Sequence, residues 1–213
     1  LMDFNPALWR GNLDRDLPPA SKIQPVKHQE SMPLEELQEK LNCLYPANTR
    51  TKQAILFTIL TASRVGESVP ARWDEIDWEN RIWSVPPERR KDQKPYPHRV
   101  PLSDQAIELL KSIEKKGDHI FGVSEESLGS RYTLTKLLKR LTGTTATMHG
   151  FRSTFRDWAA ENGVPDIVAE KCLMHTTGNA VVQAYQRSDL LEQRREVMQQ
   201  WADAVFSGVS SAA

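Results

Sequence analysis

The chain has 213 residues, 39% hydrophobic and 26% charged, which suits one large globular domain with a buried core, or two small ones. Its 28 Lys and Arg are balanced by 28 Asp and Glu, so net charge by itself speaks against a nucleic-acid binder. Two cysteines, Cys43 and Cys172, exclude a disulfide scaffold and fit a reducing cytoplasm; no run approaches the roughly 18 apolar residues of a membrane span, and no signal-peptide pattern opens the chain.

Residues 1–30 hold four prolines, including Pro18-Pro19, and read as a linker entering from an earlier part of a longer protein. Leu34, Leu37, Leu41 and Leu44 recur at spacings of three and four and predict a helix over 33–44. Asn48 is placed to cap a second, more buried helix through Ala54-Ile55-Leu56-Phe57-Thr58-Ile59-Leu60. Between Trp73 and Leu102 the period changes: Ile76, Trp78, Ile82, Trp83 and Val85, then Val100 and Leu102, are strand-type residues separated by turn signals. Residues 86–95 read as a basic turn between two short strands. Beyond Ser103 helices are expected at 104–116, 130–142, 150–162, 165–174, 178–186 and 189–206, broken at Gly143, Gly163-Val164-Pro165 and Thr176-Thr177-Gly178, with a disordered tail over 207–213. The expected class is α+β, mostly α-helical with one small sheet. Trp73, Trp78, Trp83, Trp158 and Trp201 fall among periodic apolar neighbours and read as core rather than as base-stacking residues. Leu190, Arg194, Val197, Met198, Trp201 and Val205 form a mainly apolar stripe on the last helix, for the core or for a second protomer.

The charges are unevenly spread. Arg131, Lys136, Lys139, Arg140, Arg152 and Arg156 occupy 129–156 with no acidic residue between them, and Arg89, Arg90, Lys91, Lys94 and Arg99 are opposed only by Asp92. Acidic residues gather instead at 30–39, 74–79 and 125–126. A phosphate-binding face is compatible with overall neutrality; solvated helix faces are the plainer reading of the same pattern.

Four segments become informative together: Thr61-Ala62-Ser63-Arg64-Val65-Gly66-Glu67; Lys91 in the basic turn; His149-Gly150-Phe151-Arg152; and His175, followed ten residues later by Tyr185. In this order, with Trp73 and Asp77 after the first Arg and Val100-Pro101-Leu102 after the turn, they resemble the tyrosine recombinases of the prophage integrase type. The resemblance runs from about 30 to about 205. It implies a catalytic domain over 31–206 with a small antiparallel β-sheet, residues 1–30 ending a core-binding domain, and Tyr185 as nucleophile. It further implies no cofactor, double-stranded DNA attachment sites as substrate, a homo-tetramer on that DNA, and accessory DNA-bending or excision factors.

The residue types suit the chemistry. Phosphodiester transfer needs neutralised non-bridging oxygens, an in-line nucleophile and a proton for the leaving oxygen. Arg64 and Arg152 match phosphate geometry and stay charged, and His149 and His175 can donate to the same oxygens or move the tyrosine proton. With a pKa of about 10, only around one part in a thousand of a tyrosine is phenolate at neutral pH, so Tyr185 needs an electropositive pocket or a base. The resemblance gives Lys91 the role of general acid, with Lys94 as a competitor because Pro95-Tyr96-Pro97-His98 holds an insertion of two residues. Glu67 reads as an orienter of Arg64, and Arg131, Lys136, Lys139 and Arg140 as DNA-backbone contacts. Met174 stands where the family commonly has glycine. Cys172 and His175 form half a zinc site with no second half. A type IB topoisomerase and a DNA-binding remnant that no longer cleaves are the alternatives.

Overall fold

The structure is a computed structural model and describes residues 10, 13, 17, 31–121, 131–175 and 188–208. Helix α1 (Leu34–Leu44) buries Leu37, Leu41 and Leu44 and carries Glu35 and Glu36 in its first turn, where acidic side chains complement the helix dipole. Helix α2 (Arg50–Leu60) is buried along Gln53–Leu60. Its cap is Thr49, whose side chain accepts from the Lys52 N–H, and not the expected Asn48. Ala62 ends the helix in the left-handed region at φ 47°, and the chain turns at once into the four-residue helix α3 (Val65–Ser68).

The predicted change of period is a three-stranded antiparallel sheet in the order β1-β2-β3, formed by β1 (Ile76–Asp77), β2 (Ile82–Val85) and β3 (His98–Pro101). Ile76 faces Trp83 and Trp83 faces Val100, which stacks apolar residues on one face. Asp77 accepts from the Asn80 backbone and side chain, closing the first turn. Of the tryptophans expected in the core, Trp83 and Trp201 are fully buried, but Trp78 is 43% exposed and stacks on Trp73 with ring centroids 6.2 Å apart. A two-residue strand leaves it just past the end of the edge strand, open to solvent on one side.

Helices α4 (Asp104–Lys111), α5 (Arg131–Thr142), α6 (Gly150–Glu161), α7 (Asp166–Cys172) and α8 (Leu191–Phe206) complete the described fold. Helix α4 stops at Lys111, short of the expected 116. Ser112 Oγ bonds back to the Leu109 carbonyl, and the Glu114 carbonyl accepts from Arg50. The helix expected at 178–186 and most of 1–30 lie outside the described residues. So does the expected tail beyond Gly208; within it, Ser207 Oγ accepts from Gln38 Nε2 at 2.9 Å.

Helix α8 packs its stripe into its own domain, with Val197, Met198, Trp201 and Val205 buried. Trp201 lies between Phe155 and Trp158, at 5.5 and 5.3 Å between centroids, and its Nε1 donates to the Ile59 carbonyl at 2.9 Å. Trp201→Ala should therefore cost about 3–5 kcal/mol in urea denaturation. A loss under about 1 kcal/mol would show that α8 is not part of the core.

Candidate active site

The loop after α2, the turn between β2 and β3, the start of α6 and the end of α7 place the predicted residues. Arg64 is the N-cap of α3. The Arg64 Nη1 donates to Glu67 Oε1 and its backbone N–H to Glu67 Oε2, both at 2.9 Å. Glu67 is 3% exposed. It holds Arg64 at both ends, and the guanidinium is left one of its donor edges for a ligand.

Arg152 lies in the first turn of α6 and is 4% exposed. Its Nη1 donates to the Ala62 carbonyl at 2.6 Å. Its Nη2 donates to the Leu173 carbonyl and meets His175 Nε2 at 3.0 Å. Among the described residues its Nε, also buried, has no hydrogen-bond partner. Burial and then Arg64 bring its pKa down to about 10, against the pull of Glu67 and Glu170. Two guanidinium groups thus lie in one another's field, which Glu67 and Glu170 only partly offset, and an incoming anion would stabilise them. Arg152→Ala should slow phosphodiester cleavage by roughly 10²–10³-fold, measured as single-turnover adduct formation at saturating DNA. A rate within a few-fold of the parent chain would remove Arg152 from the site.

His175 follows α7 through a left-handed turn. Met174 takes φ 52°, and the His175 N–H returns to the Glu170 carbonyl at 2.8 Å, a helix ending usually built with glycine. A buried methionine therefore occupies the glycine-type conformation and the turn still forms. His149 precedes α6. Burial first, then Arg152, Arg64, Lys91 and His175, lowers its pKa, so the free site keeps it neutral at pH 7 and able to accept a proton.

The β2–β3 turn is built around a residue the sequence reading passed over. Arg90 is buried, pairs with both Asp92 oxygens at 2.8 and 2.7 Å, donates to the Tyr96 carbonyl at 2.7 Å and lies 5.0 Å from the Tyr96 ring centroid. Lys91, between these two anchors, is exposed. It lines a cleft of about 430 Å³ with Arg64, Asp92, Glu170, Met174 and His175. Lys94 lines a neighbouring cavity of about 500 Å³, which shares Asp92, Met174 and His175 with the cleft and adds Arg99, Lys171 and Asp189. Arg64, Lys91, Arg152 and His175 are thus brought together, with His149 in their field, and Lys94 reaches His175 from the adjoining cavity.

Tyr185 lies outside the described residues. Beyond that segment, Ser188 and Asp189 are tied down: Lys171 Nζ donates to the Ser188 carbonyl at 2.5 Å, and Asp189 Oδ2 accepts from Arg99 at 2.6 and 3.0 Å. Asp189 makes no cap for α8, whose N-cap is Leu190 at φ 53°; its carboxylate is engaged by β3 instead. Lys136, Lys139 and Arg140 are exposed on α5, and none lines the cleft; the Arg131 side chain lies outside the described residues. Cys172 is buried, with its thiol pushed up to about 11. Among the described residues no three His, Cys, Asp or Glu side chains gather as a metal site.

Residues 30–192 match the phage integrase family. Prophage integrase IntA of Escherichia coli K12 is 38% identical over 161 residues, covering 73% of this chain and 38% of that protein. The integrase of Enterobacteria phage P4 is 30% identical over 228 aligned positions, covering 95% of this chain and 49% of that protein. The chain therefore spans half or less of the length of these relatives. The fold is similar to the integrase from mycobacterium phage Brujita, with a TM-score of 0.65 at 18% identity over 88% of this chain and 66% of that one. It is also similar to the XerA recombinase, with a TM-score of 0.53 at 21% identity over 87% and 69%. The ordered motifs, the helical fold with its three-stranded sheet and a match over most of the sequence place this chain in the phage integrase family.

Proposed function

We propose that residues 31–206 form the catalytic domain of a site-specific DNA recombinase, which cuts and rejoins DNA through a 3′-phosphotyrosine at Tyr185 to integrate or excise a mobile element. Residues 1–30 end its core-binding domain. The observation that carries this reading is the buried, carbonyl-anchored Arg152 beside Arg64 and His175, a cradle with unmet demand for an anion.

In this mechanism Arg64 and Arg152 bind the non-bridging oxygens of the scissile phosphate and His175 adds a third donor. His149 accepts the tyrosine proton as the phenol oxygen attacks phosphorus. The P–O bond to the 5′ oxygen breaks, and Lys91 gives that oxygen its proton. The phosphotyrosine ester retains the energy of the broken linkage, so rejoining reverses the same steps without ATP, and the protein's cations perform the neutralisation without a metal ion. Exposed Lys136, Lys139 and Arg140, with Arg131, contact the DNA backbone. Attachment-site duplexes are the substrate and a homo-tetramer is the working assembly, aided by accessory DNA-bending or excision factors. No described helix is long and apolar enough to cross a membrane, and the bacterial cytoplasm is the proposed place of action.

The test is a nicked duplex carrying the element's own junction sequence, on which the broken strand diffuses away and the covalent complex accumulates. Peptide mapping should find the nucleotide on Tyr185. Relaxation of supercoiled DNA by a monomer without strand exchange would point to a topoisomerase, and binding without any adduct to a remnant that no longer cleaves.

A further inference from the structure

Glu170 holds His175 twice. Its carbonyl accepts the His175 N–H at 2.8 Å, and its Oε2 meets the His175 Nδ1 at 2.7 Å. Its other carboxylate oxygen, Oε1, accepts from Arg156 Nε at 3.0 Å, and Arg156 also pairs with Asp166 at 3.0 Å. Arg156 stands one turn after Arg152 on α6, so their side chains leave the same face of the helix. The two arginines grip opposite ends of one unit: Arg152 meets Nε2 of the imidazole and Arg156 holds the carboxylate that engages Nδ1.

The donor inventory settles the proton. A guanidinium only donates, so the contact between Arg152 and His175 Nε2 makes Nε2 the acceptor, and the ring proton sits on Nδ1, pointed at Glu170. We infer that Glu170, braced by Arg156, is a positioning residue for the transfer reaction: it acts through His175, keeping a proton on Nδ1 and turning Nε2 toward the reacting phosphate. This rests on the recombinase reading given above. When a phosphate oxygen replaces Nε2 as the acceptor of Arg152, Nε2 is free to take a proton, and the ring becomes an imidazolium that donates from Nε2 to the phosphate and from Nδ1 to Glu170.

The charges around the ring show why the carboxylate matters. Arg152 faces it from α6, Arg64 from the loop before α3, Lys91, Asp92 and Lys94 from the β2–β3 turn, and His149 from the start of α6. Arg99, Lys171, Asp189 and Arg194 line the adjoining cavity that His175 also walls. Burial first, then Arg152, lowers the His175 pKa; Glu170 raises it, and Arg64 lowers it further. Among the described groups that shift it, Glu170 alone favours the charged ring. Without its charge the imidazolium forms only at lower pH.

The test uses Glu170→Gln, which keeps the shape and an acceptor oxygen but loses the charge. At neutral pH its single-turnover cleavage of the nicked junction duplex should fall by roughly ten- to a hundredfold, the scale on which partners that orient a histidine through its second nitrogen act elsewhere. The alkaline limb of the rate profile should move to lower pH, so that the two rates approach each other in acid. In a His175→Ala background the same substitution should cost nothing further. A loss that is equal at every pH, or one that persists without His175, would overturn the inference and leave Glu170 a purely structural residue. A readout that needs no DNA runs alongside: ¹⁵N spectra of the whole chain should show His175 with its proton on Nδ1, and a lower His175 pKa in Glu170→Gln. An unchanged pKa would also overturn the inference. Failure of the parent chain to form any adduct, with the expected spectra, would count against the recombinase reading and leave the Glu170–His175 linkage standing. Should Glu170→Gln unfold, Arg156→Gln removes the brace and is expected to shift the same limb in the same direction.

Discussion

Tyr185→Phe should abolish the covalent protein–DNA complex while leaving affinity for the same duplex essentially unchanged. The substitution removes one oxygen and keeps the ring, so it deletes the nucleophile and little of the packing. A free tyrosine at pH 7 is about one part in a thousand phenolate, and what would activate it is the field of Arg64, Arg152 and Lys91, with neutral His149 as the proton's destination. None of these depends on the phenol oxygen, so they should still bind DNA. The measurement pairs a gel shift with a denaturing gel on the nicked duplex. An adduct that persists in the Phe variant would mean another side chain attacks.

Lys91→Ala should slow cleavage by about 10²–10⁴-fold, the usual contribution of a positioned acid. The same variant should recover most of its rate on DNA with a sulfur in the 5′ bridging position. An alkoxide is a poor leaving group without a proton, whereas a thiolate, from a thiol of pKa about 8.5, leaves unaided. Lys94→Ala should show little of either effect, because Lys94 lines the neighbouring cavity, which shares His175 with the cleft but does not reach Arg64. Sulfur rescue of Lys94→Ala but not of Lys91→Ala would transfer the role.

The legible part of the site was the part whose chemistry dictates residue type. Arg64, Arg152, His149, His175 and Lys91 stand out because phosphate transfer requires forks, donors and an acid, and the segments that carry them are short and ordered. Helix phases were legible for the same kind of reason: α1 and α8 bury most of the residues their spacing predicts. What escaped were groups whose roles depend on where a turn points. Glu170 reads as a solvated helix residue until Met174 turns left-handed and brings His175 back over it. A Glu five residues before the histidine, together with an Arg four after Arg152, was the available signal. Arg90 looked like one more charge in a basic turn, and only the buried geometry shows it as the turn's scaffold. Asp189, just ahead of the last helix, pairs with Arg99, ninety residues earlier in the chain, and makes no cap; such long-range pairing leaves no local trace.

The anchoring of Arg152 also bears on how the chain comes to be active at all. Its guanidinium is fixed by carbonyls 90 residues before it and 21 after it, and contacts that close loops of such length form late, because the entropy of bringing the ends together must be met first. The anchored arrangement of Arg152 therefore does not exist in a partly folded or newly emerging chain, whatever helices that chain already has. On the proposed reading, competence to cut DNA would arrive only with completion of the domain, and truncated or misfolded copies would be left without it.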